Sequence, residues 1–367
     1  MVAMSGGVDS SVTALLLTQR GERVAGMFMK NWEENDVDGA CTAAEDAADA
    51  RAVAELIGIP FHARNFASEY WENVFEDFLA ELEAGRTPNP DVLCNREIKF
   101  RVFLEHARDL GADSIATGHY ARRRDNGNGF ELLKGVDPDK DQSYFLYMLD
   151  QAQLAHARFP VGEMTKPELR RLAAEAGLPT AQKKDSTGIC FIGERNFDAF
   201  VDRYLKSGPG EIRTTGGNAI GTHKGLIHYT LGQRRGLGIG GVRGFDEAPW
   251  FVVHKDVAGN VLYVTQDPED PHLLSTRLTA IRPSWVSGRA PEAGRRLAAK
   301  IRYRQPDQAV ALAAVDDERF EVVFDRPQRA VTPGQSVVLY DGEVCLGGGI
   351  IDDSDRRIPQ SLYPERN

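Results

Sequence analysis

The chain has 367 residues, 42% of them hydrophobic and 27% charged, which suits two or three packed domains of about 100–200 residues each. No apolar run approaches the ~20 residues of a membrane span, and no basic stretch precedes an apolar leader, so a cytoplasmic protein is expected. The cysteines, Cys41, Cys94, Cys190 and Cys345, are too few and scattered for a disulfide framework, and with no Cys-x-x-Cys pair a zinc site is not expected.

In chain order, "MVAM" reads as a short strand and Ser10 to Arg20 as a helix, with Val12, Leu15 and Leu16 at apolar spacing and Gly21 as its stop. "RVAGMFMK" is a second strand, Thr42 to Ile57 a helix closed by Gly58, and "IPFHARNF" a third strand. Glu69 to Ala84 and Ile98 to Leu110 read as helices, "SIATGHY" as a further strand, and Lys166 to Ala176 and Phe197 to Leu205 as helical. Strands separated by helices predict an α/β fold, a doubly wound parallel sheet with helices on both faces. After "KSGPG" glycine becomes dense, from Gly208 to Gly244, and "LIHYT", "WFVVHK" and "VLYVT" read as β-type runs. "QDPEDPHL" reads as a linker. The short strands from Leu278 onward, "RLTAIRPSWV" to "VCLGGGII", predict a small β-barrel. The expected domains are 1–205, 206–272 and 273–367. Internal repeats and low-complexity tracts are absent.

The net charge of −10 argues against nucleic acid on its face, but it hides an asymmetry. Arg277 to Arg304 holds seven arginines and Lys300 against one acid, Glu292. Glu33 to Glu55 holds eight acids against Arg51. Composition alone makes such runs solvated faces; they are also suited to a phosphate backbone.

The first motif is Ser5-Gly6-Gly7-Val8-Asp9-Ser10-Ser11, between the first strand and helix. Gly6 and Gly7 allow a tight turn that presents backbone N–H groups. The serines add hydroxyls, and the helix N-terminus favours negative charge. This is a phosphate or pyrophosphate cradle. Asp9 is out of place there unless a cation accompanies the phosphates, which implies Mg²⁺. The Walker A pattern is absent. The motif resembles the PP-loop, S-G-G-x-D-S, of the ATP pyrophosphatases, which cleave ATP between the α and β phosphates. Ala3 departs from the glycine often found at its position.

Two cysteine motifs follow. In "RTPNPDVLCNREIKF", turn chemistry leads through Asp91 and Cys94 into a helix. A helix N-terminus, with Arg96 and Lys99, stabilises a thiolate, and Asp91 is near enough to serve as acid or base. In "DSTGICFIGERNF", Cys190 lies on a glycine-flanked stretch between Lys183, Lys184 and Arg195. Each cysteine, taken alone, equally suits a buried structural thiol.

The ordered set "SGGVDSS", "FMKNW", "NPDVLCNREIKF", "ATGHYAR", "KDQSYFLYML", "DSTGICFIGERNF", "TLGQRRGLGIGG" and "RYRQ" resembles the bacterial tRNA-specific 2-thiouridylases over nearly the whole chain. The resemblance implies an adenine nucleotide alpha hydrolase-like first domain and ATP-dependent 2-thiolation of the tRNA wobble uridine. The base's C2 oxygen is adenylated, and a cysteine persulfide then supplies sulfur. It places ATP on Ala3, Met4, Ser5, Gly6, Gly7, Val8, Asp9, Ser10, Met29 and Gly118. It makes Cys190 the persulfide carrier, Cys94 the cysteine that ends in a disulfide with it, and Asp91 the acid or base. It places tRNA on Asn89, Pro90, Asp91, His119, Lys140, Asp141, Gln142, Arg302, Tyr303 and Gln335. A cysteine desulfurase or a sulfur-relay protein is the implied donor. The rival readings are an amidating PP-loop enzyme, a thiolase of another tRNA base, and a non-catalytic RNA-binding protein.

Overall fold

A computed structural model describes residues 1–32, 42–185, 197–242 and 244–359. The strands before residue 160 are β1 (Val2–Ala3), β2 (Gly26–Lys30), β3 (Phe61–Asn65), β4 (Ile115–Ala116), β5 (Ala121–Asp125), β6 (Phe130–Lys134) and β7 (Ala157–Arg158). Five of them form a parallel sheet in the order β3-β2-β1-β4-β7. The helices are α1 (Val8–Gln19), α2 (Thr42–Ile57), α3 (residues 67–83), α4 (residues 90–109), α5 (Ser143–Leu146), α6 (Gln151–His156), α7 (Lys166–Glu175) and α8 (Phe197–Val201). One face of the sheet packs Val2, Met4 and Phe28 on α1, α2 and α7, through Val12, Val53 and Leu169. The other packs Ala3 and Met27 on α3 and α4, through Phe75 and Phe103. The strand order reverses beside β1, and a doubly wound sheet opens its ligand crevice at such a switch point.

Helix α4 starts eight residues before the predicted Ile98. Pro90 takes its first position, where a missing N–H costs nothing. Its stretch Cys94–Val102 is wound as a π-helix, as is Trp71–Phe75 within α3.

The central domain is a four-stranded sheet, β10-β11-β8-β9, of β8 (Gly210–Thr214), β9 (Ala219–His223), β10 (Phe251–Asp256) and β11 (Val261–Thr265). "LIHYT" is not a strand. It makes a 3₁₀ turn, Leu226–His228, after Gly225 at φ 147°. The His228 side chain, buried, lies 3.1 and 3.0 Å from Asp198 and Asp202, so the turn is fastened to α8 and the stretch just after it.

The last six strands are β12 (Leu274–Trp285), β13 (Arg296–Lys300), β14 (Gln308–Val315), β15 (Arg319–Arg329), β16 (Ser336–Asp341) and β17 (Val344–Ser354). Each pairs antiparallel with the next around the ring β12-β15-β14-β13-β16-β17, and β17 returns to β12, so the barrel is closed. Leu278, Val310, Leu312, Phe320 and Val337 fill it. The first domain adds a hairpin to this barrel: β5 and β6 extend its sheet where Leu132 and Leu133 pair with Cys345 and Val344 of β17.

Candidate active site

The Ser5–Ser10 loop leaves β1 at the switch point. Gly6 has φ 76°, and a Cβ there would collide with the Asp46 carbonyl of α2. Glycine is therefore required both by conformation and by close approach. Gly7 caps α1 without a side-chain bond. The hydroxyls of Ser10 and Ser11 both donate to Gly7 O, at 3.0 and 2.8 Å, and Ser5 N donates to Ser10 Oγ at 3.2 Å. Ser10 and Ser11 are thus spent on shaping the loop, while Ser5 is exposed. Gly118, after β4, backs the loop so closely that a Cβ would stand 2.8 Å from Asp9 C and Ser10 N. Ala3 and Met4 are buried beneath it, and Met29 is half-buried on β2.

Asp9 already has a counter-charge. Lys166 Nζ, at the start of α7, donates to its two oxygens at 2.7 and 2.9 Å, and Tyr120 OH donates at 2.9 Å. Burial, then Asp9, push the Tyr120 phenol far above its usual range, so it stays a donor. The same Lys166 Nζ lies 2.7 Å from Asp185 Oδ1. Asp185 also takes Lys140 Nζ and Arg170 Nη2, each at 2.7 Å. Burial alone would raise the Asp185 carboxyl, but its bonds to Lys140 and Lys166 outweigh that and hold it at about 2. Lys183 bridges Asp46 (2.6 Å) and Asp49 (2.5 Å) on α2. Mg²⁺ was expected as the counter-charge of Asp9, and Lys166 supplies that charge. Among the described residues no three His, Cys, Asp or Glu side chains gather to hold a metal. A Mg²⁺ ion at this loop would be held mainly by the phosphates of ATP rather than by a cage of side chains.

Asp91 and Cys94 share a face of α4, three residues apart. Cys94 opens the π-wound stretch and is fully buried, one turn in from the helix start rather than at it. The dipole effect expected there is correspondingly weaker, because it fades beyond the first turn. Asn95 anchors the helix to α5 through Phe145 O, at 3.1 Å. A cleft beside this helix is lined by Asn89, Pro90, Leu93, Tyr147, Met148 and Ser336. Cys190 and Cys41 lie outside the described residues; Asp185 is the last described position before the Cys190 stretch. Cys345 is buried in β17, and burial pushes its thiol up to about 12.

The residues expected to meet RNA divide into groups. Gln335 Nε2 donates to Thr87 O at 2.8 Å, so the barrel and the turn before Asn89–Asp91 are joined. Tyr303 packs its ring 4.5 Å from that of Phe145, and its hydroxyl donates to Lys140 O at 3.3 Å. Asp141 is buried. It accepts from Gly135 N, Ser143 N and Ser143 Oγ, each at 3.1 Å, and from Lys300 Nζ of the barrel at 3.3 Å. Gln142 is bound to both backbone groups of Tyr120, at 2.8 and 3.0 Å. His119 is buried, shares a hydrogen with Thr117 Oγ1 at 2.8 Å, and is held well below its usual pKa by burial, hence neutral. Arg302 stands apart, turned toward Leu231 and Ala330. The motifs did not reveal Lys166, Tyr120 and Asp185 as the partners of the loop. Only the fold brings them to Asp9.

Family models match the chain in three pieces. The "tRNA methyl transferase HUP domain" covers residues 1–194, the "tRNA methyl transferase PRC-barrel domain" 198–266, and the "Aminomethyltransferase beta-barrel domain" 275–351. The chain is 59% identical over 360 residues to the "tRNA-specific 2-thiouridylase MnmA" of Pseudomonas entomophila, covering 98% of this chain and 96% of that protein. It is 60% identical over 355 residues to the protein of the same name from Pseudomonas paraeruginosa, covering 97% and 94%. The domain descriptions name methyl transfer; the relatives, matched over nearly their full length, are named for thiolation.

Proposed function

The chain belongs to the family of tRNA-specific 2-thiouridylases, and on that premise we propose that it converts the wobble uridine of tRNA to 2-thiouridine at the expense of ATP. The observation that carries the reading is the loop Ser5–Ser10. It is a glycine-built anion cradle at a sheet switch point, with the N-terminus of a twelve-residue helix behind it. In this reading the loop N–H groups and the α1 dipole hold the phosphates of ATP. The C2 oxygen of the uridine attacks the α-phosphate and pyrophosphate leaves. C2, a poor electrophile before, now carries AMP as leaving group.

Sulfur then comes from a persulfide on Cys190, loaded by a cysteine desulfurase or a sulfur-relay protein. Cys94 attacks the inner sulfur of that persulfide, forming a Cys94–Cys190 disulfide and releasing the outer sulfur as the nucleophile at C2. The C2–oxygen bond breaks and AMP departs. Asp91, on the face of α4 that carries Cys94, handles the proton. A thiol reductant resets the disulfide. The base must leave its stack to reach these groups.

Purified protein is incubated with unmodified tRNA, ATP, a cysteine desulfurase and cysteine, and nucleosides are read by mass spectrometry. The expected result is 2-thiouridine that depends on Cys190, with ATP converted to AMP. Formation of AMP without any thiolated base would leave the loop assignment standing and remove the sulfur chemistry. A thiolated base other than the wobble uridine would move the substrate.

A further inference from the structure

At the seam between the central domain and the barrel, two arginines converge without an acid. Arg302, on the turn between β13 and β14, donates through Nη2 to Ala330 O at 3.0 Å. Arg329, the last residue of β15, donates through Nε to Pro268 O at 3.1 Å and lies 4.6 Å from the centre of the Phe251 ring. Its Nη2 is buried and has no hydrogen-bond partner among the described residues. Three other arginines of the barrel are matched by carboxylates: Arg277 by Glu321 at 2.6 Å, Arg295 by Asp341 at 2.5 Å, Arg282 by Asp77 at 3.2 Å. Among the described residues neither Arg302 nor Arg329 has such a partner. Asp267, next to Pro268, spends a carboxylate oxygen on Glu269 N. Burial, and after it the charge of Arg329, hold Arg302 below the usual guanidinium range.

The two guanidiniums flank Gly232, which has φ 77°: a Cβ there would stand 2.7 Å from the Ala330 Cβ, 3.6 Å from Arg302 Nη2 and 3.7 Å from Arg329 Nη1. Both sides of the seam are braced. Gly232 N donates to Val252 O at 2.7 Å, and Gln233 accepts from Thr230 N at 2.9 Å. Gln305 holds the Arg302 turn through Ile301 N, at 2.9 Å, and reaches Gln328 at 2.8 Å. Like charges held together, partly desolvated and with a donor unused, are unfavourable until an anion sits between them. A guanidinium fork fits a phosphate. The Gly232 loop runs straight on into exposed Arg234 and Arg235, which makes a cationic track rather than a pocket for one small ion.

We propose that Arg302 and Arg329 together form a phosphate site at this seam, and that its occupant is a phosphodiester of the tRNA backbone. The proposal rests on the tRNA reading above. It adds Arg329 to a surface where Arg302, Tyr303 and the glycine-rich stretch 206–272 were expected to meet tRNA.

The test is equilibrium binding of unmodified tRNA by wild type, Arg329→Gln and Arg329→Lys between about 50 and 200 mM salt. Arg329→Gln is expected to weaken binding about tenfold and to lower the slope of log affinity against log salt by about one. Arg329→Lys keeps the slope and loses less, because the charge stays while the fork goes. ATP binding without tRNA is unchanged in both. Wild-type affinity and slope in Arg329→Gln would overturn the site. Equal losses in Gln and Lys variants would also overturn it, as a structural role. A wild-type chain that does not bind tRNA would instead bring down the tRNA reading, and the site with it.

Discussion

Replacing Lys166 by Met tests how the loop is held, because it keeps the stem and removes only the charge. Lys166 is 10% exposed in its side chain, and the two carboxylates it serves, Asp9 and Asp185, are 33% and 32% exposed. Exposed pairs contribute about 0.2–1 kcal/mol, while stripping one partner from a fully buried pair costs about 3–5 kcal/mol. This site lies between those limits. Asp185 is held at about 2 against an ordinary 3.8, which corresponds to about 2 kcal/mol before solvent screening is discounted. Lys140 and Arg170 share that contribution, so roughly 1 kcal/mol belongs to Lys166, and its pair with Asp9 adds about as much. The variant should lose about 2 kcal/mol at pH 7 in urea unfolding. The sign follows from a lowered carboxyl pKa. The stabilisation is present above the ordinary value near 4 and is lost as pH falls through about 2. The gap between wild type and variant should therefore hold from about pH 8 to 5 and narrow below about pH 4. Asp9, without its lysine, repels the phosphates, so KM for ATP should rise more than kcat falls. Equal stability at pH 7, or a gap that persists unchanged to about pH 3, would refute the reasoning.

Gly118→Ala places a Cβ 2.8 Å from the backbone of Asp9 and Ser10; overpacking of about 1–3 kcal/mol, if borne by the loop, should weaken ATP binding in calorimetry by about 5- to 150-fold. Gly216→Ala, whose Cβ would stand 3.7 Å from Thr214 Oγ1, should be silent in the same assay. Cys94→Ser should bind ATP as wild type does yet abolish multiple-turnover thiolation, read by nucleoside mass spectrometry; unaltered turnover would remove Cys94 from the chemistry. Burial, and then Arg356, push Lys255 down to about 8, so its charged form is penalised below that pH and the penalty fades as pH rises toward its ordinary 10.5. Lys255→Met should gain about 1 kcal/mol at pH 7, after the loss of its 3.0 Å bond to Tyr229 O, and the gain should vanish near pH 10 in thermal melts.

What the sequence made legible is what local chemistry decides. Gly6 announces its turn because only glycine takes φ 76° against the α2 backbone. Strands such as Val261–Thr265 and Gln308–Val315 fall where the apolar runs stand. The β5–β6 hairpin was not foreseen. "ARRRD" carries no apolar alternation to mark a strand, although the Asn-Gly pair that follows it is a hairpin signal. Its edge partner, Cys345 and Val344, lies more than two hundred residues away. "LIHYT" misled because β-type composition says nothing of His228 being fastened to Asp198 and Asp202. At the site, Asp9 is legible as a charge in an odd place, but its answer, Lys166, is 157 residues distant. A sequence states which charges need partners, not which partners arrive.

The short segment Lys140 to Ser143 shows why those arrivals matter. Lys140 binds Asp185, which shares Lys166 with Asp9 of the loop. One residue on, Asp141 binds Lys300 of the barrel, and Ser143 lies 3.2 Å from the Tyr340 hydroxyl. Tyr303, beside Arg302, returns to the carbonyl of Lys140. The phosphate loop and the barrel turn expected to meet RNA are thus held to the same few residues from opposite sides. The proposed reaction joins a nucleotide to an RNA base, which would need both substrates registered to within bonding distance, since misplacement by about 1 Å costs on the order of a hundredfold in rate. Loop and turn reside in different domains, and the buried Asp141–Lys300 pair and the β5–β6 hairpin clamp those domains together. The polar seam gives that registration a direction that apolar packing alone would leave free to slide, since a buried carboxylate accepts one arrangement of donors and penalises the rest.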